Sequence, residues 1–230
     1  MLNMSPTIPI TPAMHADLRP ETLSEFWRWF AANEEELFNL DINSRRMFDE
    51  LSDAMSRVDA NLTYEFGPIL ENKRELFISA GGNKESFQSV RALYAASPGL
   101  ERWTFIQFRQ RHKYINDFKL GYGHHVVKAS DVRYLMVKDK KPGKVGITLF
   151  LDGYSEMDWE AWEHIGYLFL DIALGEYDVE TYVGAIMFSD HNSVHLKRSL
   201  PYSSLPKHFD KSVKTGCRKV YRSHLVRSAR

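Results

Sequence analysis

Hydrophobic residues near the start of the chain recur at three- and four-residue steps: Leu23, Phe26, Trp27, Phe30 and Leu37, with Phe38 beside the last. That period predicts an amphipathic helix of about 18 residues. Thr22 and Glu25 stand at capping-box spacing, where hydroxyl and carboxylate each satisfy an orphan N–H of the first turn. Met47, Phe48, Leu51, Met55 and Val58 repeat the pattern and predict a second helix over 43–58, with Asn43 as its N-cap.

After Val58 the period changes to two. In LTYEFGPI, Leu62, Tyr64 and Phe66 point one way and Thr63 and Glu65 the other, so a strand is expected, closed by Gly67 and Pro68. RELFISA, 74–80, reads as the returning strand of a hairpin. Asn83 then caps a predicted helix over 84–96, and RWTFIQF, 102–108, is a strand by its aromatic and β-branched content. The stretch 109–130, with a basic start and the glycine-histidine cluster GYGHH, has no readable period.

The pattern returns in VRYLMVK (132–138) and VGITLFLD (145–152), a second hairpin signal. Next come a long helix capped by Ser155 and ended by Gly175, and a last strand, YVGAIMF (182–188). Both halves thus read hairpin, helix, strand, over 62–108 and 132–188. The expected fold class is α+β: two N-terminal helices, then two ββαβ-like units in one mostly antiparallel sheet with helices on one face. The expected domain layout is a disordered arm over 1–20, rich in proline, a single domain over 21–190, and a basic tail over 191–230 in which only 205–214 suggests a short helix.

Charge sharpens this layout. The 30 basic and 30 acidic residues cancel overall, yet from Lys197 onward ten basic residues face one acid, Asp210, and leave the preceding chain acidic. That acidic body argues against nucleic acid as partner, since it repels a polyanion. No run approaches the ~18 apolar residues of a membrane helix, the start lacks the pattern of a signal peptide, and Cys217 is the lone cysteine, so a cytoplasmic location is expected. The basic setting GCRKVYR favours a reactive thiolate at Cys217 without making it a nucleophile.

Candidate chemistry is sparse. AGGNK, 80–84, has neither the spacing of a phosphate-binding loop nor that of a dinucleotide fingerprint, and no cofactor is expected. His191 and His195 stand four apart, which on a helix would suit a metal ion, but the segment shows no helical period. His124 and His125 are the catalytic candidates, with Asp117 or Asp131 as orienting carboxylates. On a strand their adjacent rings would point to opposite faces.

The other candidate surface is the acidic N-terminal helix pair, where 11 acids meet 5 basic residues over the first 60. Glu34, Glu35, Glu36, Glu50 and Asp53, with Trp29 off the apolar stripe, form a candidate docking face for a basic protein partner. FWRWFAANEEELF, LTYEFGPI and RELFISAGG together resemble a pattern of uncharacterised bacterial proteins over about residues 25–110. The resemblance implies a bacterial, cytosolic origin and supplies no activity. The functional expectation is a non-catalytic protein-binding module, such as an immunity-type inhibitor of a basic toxin, with an enzyme using histidines and carboxylates of 112–131 as the alternative.

Overall fold

A computed structural model of the protein describes residues 16–40, 44–139 and 143–213. Asn43, Cys217, residues 1–15 of the expected N-terminal arm and residues 214–230 of the expected basic tail lie outside the described residues. Helices and strands are both present, as an α+β class requires, and the chain divides into two compact units, Met1–Arg109 and Gln110–Arg230, in place of one domain over 21–190.

In the first unit the expected 18-residue helix is broken. Helix α1 (Pro20–Ala32) begins with proline at its first position, where a missing N–H costs nothing, and the Thr22–Glu25 capping box is not its start. Asn33 donates its side-chain amide to the Trp29 carbonyl at 2.8 Å, and a short helix α2 (Glu34–Phe38) follows. Helix α3 spans Arg45–Ser56. Strands β1 (Thr63–Phe66) and β2 (Arg74–Ser79) pair antiparallel, helix α4 (Phe87–Ala95) follows, and β3 (Trp103–Gln107) joins β2 in parallel, giving the order β1-β2-β3. Asn83 caps the turn into α4, its carbonyl oxygen accepting from Glu85 N at 3.0 Å.

Aromatic rings fill this unit's core. Phe30, fully buried, meets Trp103 at 4.9 Å, Phe105 at 5.4 Å and Trp27 at 5.6 Å, all edge to face. Trp27 donates its indole N–H to the Leu93 carbonyl at 2.9 Å, tying α1 to α4. A small polar network closes the loop after α3. Asp59 accepts from the Ser89 hydroxyl at 2.7 Å and from Asn61 N at 2.9 Å; burial pushes its carboxyl up, but these hydrogen bonds outweigh that and leave it below the usual range.

The second unit opens with a hairpin in the stretch without readable period: β4 (Lys119–Tyr122) and β5 (His125–Lys128), joined by Gly123 and His124. Gly123 has φ +60°, the conformation that the first position of a type II′ turn demands. Strands β6 (Arg133–Lys138) and β7 (Val145–Phe150) pair antiparallel. Helices α5 (Trp159–Leu174) and α6 (Glu176–Tyr182) return the chain to β8 (Val183–Ser189), which lies parallel to β7.

Both hairpin-helix-strand signals are therefore realised, but as a three-stranded and a four-stranded sheet, each mixed, in place of one mostly antiparallel sheet. The reason is the crossover: a helix between two adjacent strands brings the second back in the same direction.

Nor is the chain from 191 to 213 a tail. Strand β9 (Leu200–Pro201) extends the second sheet beside β6, and helix α7 (Leu205–Ser212) buries Leu205 and Phe209. Tyr202 is buried against Phe169, and its hydroxyl donates to the Phe169 carbonyl at 2.6 Å; desolvation pushes this phenol far above its usual range.

Helix α5 carries a glycine at the point where the ring of Phe188 comes close to it. A Cβ on Gly166 would lie 2.0 Å from the nearest carbon of the Phe188 ring, so the ring would have to shift to admit it. Gly→Ala within a helix ordinarily gains up to about 1 kcal/mol, whereas overpacking a core costs about 1–3 kcal/mol. Gly166→Ala is expected to destabilise the protein by about 1 kcal/mol or more in urea unfolding; a gain in stability would show that the close packing is wrong.

Candidate functional site

Because β7 and β8 run parallel, their C-terminal ends reach the same edge of the second sheet, where Leu151 N donates to the Ser189 carbonyl at 2.9 Å. Beyond them come Asp152 and Gly153 on one strand and Asp190 and His191 on the other. The chain leaving β7 turns directly into α5, so the start of that helix, with Asp158, belongs to this edge as well. Ser155 makes the turn by accepting from Met157 N at 3.2 Å. The edge beyond the carboxyl ends of parallel strands is where open sheets with crossover helices gather binding groups.

The β4–β5 hairpin folds onto α5. Tyr122 lies with its ring 4.4 Å from that of His164, and His125 with its ring 4.5 Å from that of Trp162. His125 Nε2 stands 3.4 Å from Asp158 Oδ2, and the rings of His124 and His125 are 3.9 Å apart. The expectation that adjacent histidines diverge fails because His124 occupies the turn and only His125 is in the strand, so their side chains do not alternate. Potential ligand atoms of His124, His125 and Asp158 all lie within 4.8 Å of one another.

A second histidine meets a carboxylate at this edge. His191 Nδ1 is 3.8 Å from Asp152 Oδ1. Asp190 accepts from Asn192 N at 2.8 Å and from Gly153 N at 3.0 Å, and these backbone N–H groups, with His191 nearby, hold its carboxyl below the usual range against partial desolvation. The loop and α5 also touch, since a Cβ on Gly153 would sit 3.9 Å from the Trp162 ring.

Among the described residues, five buried side-chain nitrogens have no hydrogen-bond partner, and three of them are here: His125 Nε2, Trp162 Nε1 and His191 Nε2. An unsatisfied buried polar group costs about 1–3 kcal/mol, so their grouping marks a place kept for something other than stability. The 3.4 Å separation from Asp158 is an ion-pair distance, too long for a good hydrogen bond to His125.

Other candidates are differently placed. Asp131 accepts from the adjacent Ser130 hydroxyl, and it is Asp158, from a distant part of the chain, that faces His125. His191 and His195 share no helix: His191 is in a turn and His195 is exposed before a short 3-10 turn, Leu196–Arg198. In the first unit Glu35 pairs with Arg102 at 2.6 Å, and Arg46 bridges Glu36 at 2.5 Å and Glu50 at 2.6 Å. Asp53 is exposed and Glu34 half-buried. Trp29 is half-buried too, its ring 6.4 Å from Phe26.

Asp152, Asp158 and Trp162 were not legible as site residues. The one available signal was the Gly-His pair between KLGY and HVVK, a two-residue hairpin loop that would have placed both histidines at a turn. Comparison with protein-family models, curated proteins and solved structures finds no match to this chain. No helix among the described residues is long and apolar enough to cross a membrane.

Proposed function

We propose that the second unit is the catalytic part of an enzyme of the hydrolytic class, with its reaction centre at the edge formed by His125, Asp158, His191 and Asp152. The observation that carries this reading is two histidine–carboxylate pairs, His125 with Asp158 at 3.4 Å and His191 with Asp152 at 3.8 Å, in each of which the histidine Nε2 is buried and without a hydrogen-bond partner among the described residues. In the first pair Asp158 faces Nε2 of His125 itself and positions that ring; in the His191–Asp152 pair the carboxylate lies beside Nδ1, and Nε2 is left to take a proton from water as its oxygen attacks an electrophilic centre. The same proton is later returned to the leaving group. The docking reading draws less support, because Glu35, Glu36 and Glu50 are neutralised by arginines of their own unit and Trp29 is not a free anchor.

The test is turnover of a panel of p-nitrophenyl esters and phosphoesters by the full chain and by His125→Ala and His191→Ala. Removing a general acid or base costs about 10²–10⁴-fold, so each variant is expected to lose at least ~100-fold in kcat/KM. Equal rates in wild type and both variants would sink the assignment.

A further inference from the structure

The geometry points to a divalent transition-metal ion, zinc by its donor set, held between His124, His125 and Asp158. Two imidazoles and one carboxylate are the ligand types zinc takes, whereas magnesium and calcium favour all-oxygen sites. A tetrahedral ion with bonds of ~2.0 Å needs ligand atoms roughly 3.3 Å apart. The His125–Asp158 distance of 3.4 Å already meets that, and the three ligand atoms within 4.8 Å of one another need only side-chain rotation to close on an ion.

The support is as telling as the ligands. His124 sits in a two-residue turn and Asp158 immediately before the first turn of α5, positions with little backbone freedom. The His125 side chain is only 13% exposed, with Nε2 buried, facing the carboxylate and without a protein hydrogen-bond donor. A cation satisfies that nitrogen and the Asp158 charge together. His124 and Asp158 are exposed, which leaves a side of the ion open, and three protein ligands with an open position is the arrangement of zinc sites that activate water.

This inference deepens the hydrolytic reading and rests on it only for the role of the ion. With the His125 lone pair committed to metal, proton acceptance passes to His191, which has Asp152 beside it.

The experiment is calorimetric titration of the chelator-stripped full chain with Zn²⁺, paired with the visible spectrum of Co²⁺ as a probe of coordination. Wild type is expected to take up one ion with a tetrahedral Co²⁺ spectrum, and His124→Ala and Asp158→Asn to weaken Zn²⁺ at least ~100-fold, the upper end of the loss for removing even an outer-shell partner. His124 is exposed in a turn, so its variant should fold, and His195→Ala, at an exposed histidine outside the triad, should bind as wild type does. No uptake by wild type, or uptake unchanged in both ligand variants, overturns the site. Hydrolysis by the stripped chain that is indifferent to added Zn²⁺ counts against the metal alone, while Zn²⁺ binding without turnover of any panel substrate counts against the hydrolytic reading alone.

Discussion

Phe30→Ala should cost about 3–5 kcal/mol, the range for truncating a buried phenylalanine. Phe30 is fully buried and meets Trp27, Trp103 and Phe105 edge to face within 5.6 Å. Each such contact adds about 0.5–1.5 kcal/mol beyond the area it buries, and none of the three rings can refill the space without leaving its own partners. Phe30→Leu keeps most of the volume and should cost under ~2 kcal/mol. Urea unfolding followed by tryptophan fluorescence reads both, because Trp27 and Trp103 line the cavity. A loss below ~1 kcal/mol for the alanine variant would show that the site collapses freely and that the cluster is not the core of its unit.

Arg111 is the corresponding single point of the second unit, and its importance is electrostatic. Its guanidinium donates to the Leu174 carbonyl at 2.6 Å, to Asp178 at 2.5 Å and to Asp210 at 2.9 Å, fastening the end of α5 to α6 and α7. The arginine side chain is 26% exposed and that of Asp178 19%, so the pairing is screened less than a surface ion pair but is not fully buried. Breaking a buried pair costs about 3–5 kcal/mol and an exposed one under about 1; Arg111→Ala is expected near ~3 kcal/mol. Arg111→Lys keeps the charge but not the planar fork that reaches three acceptors, and should recover less than half of that loss. Denaturant midpoints of both variants decide the matter: a lysine variant as stable as wild type would show that charge alone is at work.

Glu35 and Arg102 provide the contrast. Their 2.6 Å ion pair leaves Glu35 75% exposed, and the larger contribution of Arg102 is its guanidinium stacked 3.6 Å over the Phe38 ring. Acidic residues that form one block in sequence are thus divided in space, some bridged by arginines, and their count overstates the free negative surface.

What the sequence determined by itself is the local layer of this protein. The step of three and four at Met47, Leu51 and Met55, the alternation around Tyr64, the Asn83 and Ser155 caps and the stop at Gly175 are written into neighbouring residues, because helix and strand periods and capping act within a few positions. Only the tertiary structure decided the rest. Whether β3 and β8 lie parallel or antiparallel depends on where a crossover helix packs, Tyr202 and Phe209 become core only once β9 lies beside β6, and polar composition hid that role. The meeting of His124 and His125 with Asp158 is of the same kind, since a hairpin and a helix start far apart in the chain come together through the packing of Tyr122 and His125 on α5, which no local period encodes.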